Sequence, residues 1–231
     1  MAALKCRNLT KKYGNLTALD NINLTLKSGR IVGLVGPNGS GKTTLIKLAQ
    51  HMLTPTKGKI LISKEKPGPR TKEIVSYLPD RDFLPSWMNV DSLIKFYKDF
   101  YRDFDPDKAR EMLESLGIDS RMTFKKLSKG TREKVQLIMT MSRKASVYLL
   151  DEPIAGVDPA ARDYILHTII SNYSDNALVL ISTHLIADVE PVLDEVVFLK
   201  KGRIELHEKV DALRERTGMS VDGYFREVYR C

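Results

Sequence analysis

The sequence predicts an α/β fold, a mostly parallel sheet with helices on its faces, preceded by a β-rich part and interrupted by a helical insertion. Three observations carry that prediction. The first third reads almost entirely as short strands separated by turn residues. From about Phe83 to Lys144 the strand pattern gives way to helical spacing. Beyond that stretch strands and helices alternate, which is how a parallel sheet is built.

In chain order, strands are expected at "LKCRNL", "NINLTL", "RIVGLVG", "GKILIS" and "EIVSYL", with turns at Gly14, Ser28-Gly29 and Pro67-Gly68-Pro69. One helix breaks this run. From Thr43 onward Leu45, Leu48, Ala49 and Met52 recur on one face until Pro55 stops the pattern. Asp105-Pro106 then opens a helix, a capping carboxylate before a proline at the first helical position, with Ala109, Met112, Leu113 and Leu116 along one face. "VYLLD" reads as a buried strand, Pro159 to Tyr173 as a helix, "ALVLIS" as a strand and Leu185 to Leu193 as a short helix. "EVVFLKKGRIEL" closes the series as a hairpin. There is no internal repeat or flexible linker, so residues 1–231 are expected to form one domain with the helical part, 83–145, inserted in its core.

Composition narrows the class. Of 231 residues 42% are hydrophobic and 29% charged, ordinary for a globular chain, and no apolar run approaches the ~20 residues a membrane span needs. The start, "MAALKCRNLTKKYG", lacks the pattern of a secretory signal, and Cys6 and Cys231 lie at opposite ends, which suits a cytoplasmic protein with free thiols. A net charge of +8 favours phosphate-rich ligands, nucleic acid or an anionic membrane surface. The basic excess reads as spread out, with pairs at Lys11-Lys12, Lys125-Lys126 and Lys200-Lys201 but no run of five or six, so nucleic acid is disfavoured against solvated surface.

The strongest motif is Gly36-Pro37-Asn38-Gly39-Ser40-Gly41-Lys42-Thr43-Thr44, which fits the phosphate-loop pattern between a strand and a helix. Its glycines let backbone N–H groups turn toward phosphate oxygens, Lys42 reaches the outer phosphates, and the Thr43 hydroxyl is placed for Mg²⁺. The strand "VYLL" ends in Asp151-Glu152, setting two carboxylates at the carboxyl edge of a parallel sheet, where such sheets bind ligands. Asp151 suits a water-mediated Mg²⁺ contact; Glu152 suits orientation or deprotonation of a water attacking a terminal phosphate. "LVLIS" delivers His184 at the end of a neighbouring strand, where an imidazole can hydrogen-bond that phosphate or water. The stretch "LSKGTREKVQL", at 127–137, has a Ser and a Gly before a helical pattern; taken alone it reads first as an ordinary helix cap, with an anion site as the alternative.

These pieces, in this order, resemble the nucleotide-binding subunits of ATP-binding cassette (ABC) transporters over nearly the whole chain. The resemblance implies a P-loop NTPase fold of ABC type, with a mostly parallel core, an N-terminal antiparallel β part and the inserted helical subdomain. It implies ATP and Mg²⁺ as cofactors and hydrolysis of ATP coupled to transport. Two such subunits, identical or paired relatives, would close head to tail, and a separate transmembrane permease would carry the cargo. In that arrangement Tyr13 of "KKYGNLTAL" matches the aromatic that stacks on adenine. "LSKGT" matches the signature loop, whose Ser128, Lys129 and Gly130 would face the partner's ATP, and Asp158 of "AGVD" matches a residue that communicates across the interface. Three positions depart from the family pattern: in the signature Lys129 stands for a glycine, as either an added phosphate clamp or a solvent-facing side chain, and Thr131 for a glutamine, while Asp80 of "YLPD" stands for a metal-ligating glutamine, as either a Mg²⁺ ligand or a turn residue.

"YLPD" together with "LSKG" resembles bacterial export ATPases of the bacitracin-resistance type, as does the closing "SVDGYFREV", whose Tyr224, Phe225 and Val228 are expected to dock on their own domain. Trp87 and Met88 are read first as core packing, with contact to a membrane subunit as the alternative. The implied protein is an exporter ATPase, cytoplasmic and peripheral on the inner face of the membrane. The rival class is a soluble ABC ATPase acting on ribosomes or nucleic acid. Its translation-type members carry two cassettes and its repair-type members long heptad insertions, neither of which occurs here.

Overall fold

A computed structural model describes residues 1–155, 157 and 159–229, with side chains undescribed at 159–161. The two expectations placed on Asp158 and Cys231 fall outside the described residues. The chain opens with β1 (Ala2–Tyr13) and β2 (Leu16–Lys27), joined at Gly14 and paired antiparallel, and β4 (Lys57–Ile62) returns along the other side of β1. This gives a three-stranded antiparallel sheet, β2-β1-β4.

The second sheet has six strands in the order β5-β6-β7-β3-β8-β9, formed by β3 (Arg30–Val35), β5 (Val75–Leu78), β6 (Val147–Asp151), β7 (Leu178–Thr183), β8 (Glu195–Lys200) and β9 (Arg203–Lys209). Its first five strands are parallel and β9 turns back antiparallel, as the predicted hairpin requires. β6 and β7 are buried at every position, so they read as unbroken apolar runs rather than alternations.

Helix α1 (Lys42–Ala49) and the antiparallel sheet cover one face of this core, meeting it through Leu4, Leu26, Leu45, Leu149 and Leu180. The other face is covered by α5 (Lys129–Met141), α6 (Pro159–Asn172), α7 (Ile186–Val189), α8 (Val210–Thr217) and α9 (Val221–Val228). A third apolar cluster, including Leu93, Tyr97, Phe104, Leu113, Phe124 and Ile138, joins α3 (Val90–Phe100) and α4 (Pro106–Ser115) to α5. In α4 the Asp105 side chain accepts from the Lys108 N–H, the cap the sequence announced.

Three expectations change. "EIVSYL" is a strand only from Val75, because Pro69–Ile74 forms α2, whose Thr71 hydroxyl exchanges bonds with the backbone of Gly68. Met52 is not on α1: the helix ends at Ala49 and Met52 is half exposed, so its spacing was coincidental. Trp87 is 73% exposed and is no part of the core, whereas Met88 packs against the third cluster. The C-terminal helix does dock on its own domain, with Phe225 edge-on to Phe198 at 5.5 Å and Tyr224 at 5.9 Å. Cys6 is a free thiol, buried, and burial pushes its pKa up to about 12, so it packs as an apolar side chain.

Candidate active site

The carboxyl ends of β3, β6 and β7 lie side by side, and each delivers part of one cluster. The turn from β3 into α1 runs close to its surroundings. At Gly36 a β-carbon would lie 2.3 Å from the Leu199 carbonyl, and Gly41, at φ 111°, would place one 2.6 Å from the Ala18 carbonyl. Only glycine fits at both. Lys42, the first residue of α1, is buried, and its Nζ donates to the Gly36 carbonyl at 2.7 Å while lying 3.4 Å from Glu152 Oε1.

At the end of β6, Asp151 is fully buried. Its Oδ1 accepts from Ser182 Oγ at 2.5 Å and from Thr43 Oγ1 at 3.2 Å, while Oδ2 is buried with no hydrogen-bond partner. Burial raises the Asp151 pKa, the Ser182 and Thr43 hydroxyls lower it, and the Asp80 and Glu152 charges raise it again; the net shift is upward. A buried carboxylate in that position, with an open oxygen and negative neighbours, fits a cation. Among the described residues no three His, Cys, Asp or Glu side chains form a protein-only metal centre. The donor set fits Mg²⁺, which takes one or two protein oxygens and the rest from phosphate and water.

Glu152 stands at φ 52°, in the left-handed region where a β-carbon is unfavourable. Its N–H donates to the Ser182 carbonyl at 3.0 Å and to Ser182 Oγ at 3.1 Å, which holds the turn. Oε2 meets His184 Nδ1 at 2.8 Å. His184 is thereby joined to Glu152, Glu152 to Lys42, and Asp151 to Thr43, a contiguous polar cluster built from residues more than a hundred positions apart.

The other predicted positions lie around this centre. Asp80 follows β5, the strand beside β6, and lines a cleft of 270 Å³ together with Lys129, Arg132, Gln136, Glu152 and Pro153. Tyr13, at the end of β1, is partly exposed, with Lys11 Nζ 5.1 Å from its ring centre. Ser128 caps α5: its Oγ accepts from the Thr131 N–H at 3.2 Å and lies 2.8 Å from Thr131 Oγ1. Gly130 has open space where a β-carbon would be, and Lys129 is 70% exposed, 3.9 Å from Glu133. Among the described residues no hydrogen bond or ion pair joins either of them to the Lys42 cluster.

Sequence reasoning passed over two residues that organise the site. Ser182 touches both Asp151 and Glu152, and its signal is its place near the end of β7, in register with Asp151 on the neighbouring strand. Gln136 accepts from the Phe83 N–H at 2.9 Å and donates to Asp82 at 3.0 Å, while Arg132 lies 3.2 Å from the same carboxylate. These contacts tie the Asp80 loop to the helix that Ser128 caps, and no local pattern announces them.

Comparison with known proteins gives the family and the fold. A family model described as ABC transporter matches residues 19–155. The ABC transporter ATP-binding protein YtrB of Bacillus subtilis (strain 168) is 27% identical over 215 residues, 92% of this chain and 74% of that protein. YxlF of the same organism, also described as an ABC transporter ATP-binding protein, is 30% identical over 224 residues, 94% and 75% of the two. A solved ATP-binding subunit of an ABC transporter superposes with a TM-score of 0.88 over 99% of this chain and 100% of that one, at 24% identity.

Proposed function

Since this chain belongs to the ABC transporter family and is an ATPase of that family, we propose that it is the ATP-hydrolysing subunit of an exporter, closing head to tail with a second nucleotide-binding subunit on ATP and driving a separate membrane permease. The observation that carries the reading is the Lys42–Glu152–His184 chain beside the open oxygen of Asp151. The pairing of "YLPD" with "LSKG" supports export. Among the described residues no helix is long and apolar enough to cross a membrane, which fits a peripheral subunit on the inner face of the membrane whose permease is another chain. Residues 1–231 act as one unit, with 83–145 as the part that transmits movement.

In this mechanism the backbone N–H groups of Gly36 to Thr44 surround the β- and γ-phosphates, and Lys42 balances their charge. Tyr13 stacks on adenine. Thr43 and Asp151, with Asp80 at the next strand end, would hold Mg²⁺, which would supply positive charge against the triphosphate. Glu152 orients the attacking water and accepts its proton, and His184 fixes Glu152 and bonds the terminal phosphate. Ser128 and Gly130, with Lys129 at their side, present the start of α5 to the partner's ATP. Asp158 acts across the same interface.

The test is Glu152→Gln. A proton-accepting carboxylate contributes about 10²–10⁴-fold, so turnover falls by that order while ATP binding persists and ATP-bound dimers accumulate in gel filtration. Turnover near the wild-type rate would remove Glu152 from the reaction.

A further inference from the structure

Residues 1–72 contain fourteen lysines and arginines against two acids, Asp20 and Glu65, a net of +12, so the other 159 residues carry −4 of the chain's +8. The excess is not spread evenly along the chain, as the lack of basic runs suggested. Folding then gathers part of it. In β1, β2 and β4 the residues Leu4, Cys6, Leu24, Leu26 and Ile60 point into the core, and the alternate positions Lys5, Arg7, Lys27, Lys57 and Lys59 occupy the outer face. The turn after β4, held to β1 by the Ser63 N–H on the Ala3 carbonyl, adds exposed Lys64 and Lys66 at the edge.

Among the described residues none of these seven cations has an ion-pair partner. The one acid on the three strands, Asp20, is taken by Arg203 at 2.6 Å. Arg7 moreover stands directly opposite Lys59 in the strand register, a like-charge pair that opposes folding unless an outside anion relieves it.

We propose that this outer sheet face docks on a bilayer surface carrying anionic phospholipid. Six of the seven cations are lysines, mobile point charges suited to a diffuse anionic surface rather than to fixed, bidentate phosphate recognition. Asn23, Thr25 and Leu61 fill the outer positions between them, so the face offers no aromatic ring on which a base could stack and no projecting helix to enter a groove. None of these residues belongs to the ATP site, so the proposal goes beyond the ATPase reading and is tested apart from it.

The full chain is sedimented with vesicles of phosphatidylcholine alone, or with roughly a third phosphatidylglycerol, between about 0.1 M and about 0.5 M salt. Binding is expected only to the phosphatidylglycerol vesicles and only at the lower salt. Lys59→Glu should weaken it about tenfold or more, since each basic residue near such a surface contributes about fivefold. The same substitution should raise the melting temperature, because residue 59 then opposes Arg7, and leave ATP turnover in solution unchanged. Lys27→Glu, which faces only Ala2, should weaken binding similarly. Equal binding to phosphatidylcholine, no binding, full binding by both variants, or displacement from the vesicles by duplex DNA at equal phosphate concentration would each overturn the proposal.

Discussion

At position 151 the chain keeps a carboxylate where its own fold would favour a neutral group. The Asp151 pKa is raised, so the folded state prefers the protonated form, and the stability that protonation supplies is lost as pH climbs from the ordinary value, 3.8, through the raised one. Above that raised value the whole cost is present. Asp151→Asn is therefore expected to stabilise the nucleotide-free chain by about 1 kcal/mol while weakening Mg²⁺–ATP binding, which thermal melts with and without Mg²⁺–ATP would separate. Its neighbour adds a second expense: the left-handed backbone of Glu152 costs about 1–3 kcal/mol, held by two hydrogen bonds to Ser182. Two adjacent residues thus spend stability at the place where the chemistry is proposed.

Among the elements, α8 and α9 are fastened by one buried residue. Glu190, in the 3-10 turn after α7, accepts from Arg214 of α8 at 2.7 Å and from the Asp222 N–H of α9 at 3.2 Å. Burial pushes its pKa up, but hydrogen bonds from the Val221 N–H, Arg214 and the Asp222 N–H outweigh that and hold it below 4.5. A lowered carboxylate pKa gives stability that is complete above the unfolded value and disappears as pH falls through the folded one. Glu190→Gln should thus cost about 2 kcal/mol at neutral pH, with the difference from wild type shrinking once pH falls below about 4.5 and gone only below the lowered folded value, as denaturation at a series of pH values would show. The sequence carried the strands of the parallel core and the capped α4 because spacing and capping are local. It overextended α1 to Met52 and began β5 too early because a three- or four-residue recurrence and a two-residue apolar start are ambiguous in so short a window. Residue type alone points Trp87 to the core, whereas its setting is a surface turn. The phosphate loop and the strand-end carboxylates were legible for the same local reason, whereas Ser182, Gln136 and the Glu190 clamp act through contacts between distant positions, which no window contains.

For the molecule as a whole, the position of Ser128 at an accessible helix start, away from the Lys42 cluster, bears on assembly. If two copies close head to tail, each ATP lies between one chain's Lys42 and the other's Ser128. Lys42→Ala and Ser128→Arg should each be inactive alone, yet an equal mixture should recover about a quarter of wild-type turnover, because half of the dimers then hold one intact site. Mixtures no more active than the separate variants would exclude shared sites in a dimer of this chain. The order of the six-stranded sheet has a further effect in time. β3, which carries the phosphate loop, is made early, yet its two neighbours are β7 and β8. A nascent chain therefore completes the basic antiparallel sheet by Ile62 while its phosphate loop still lacks flanking strands until Leu178 and Glu195 leave the ribosome. The lysine-rich face is ready well before the nucleotide site, so during synthesis the protein is able to find a surface before it is able to hold ATP.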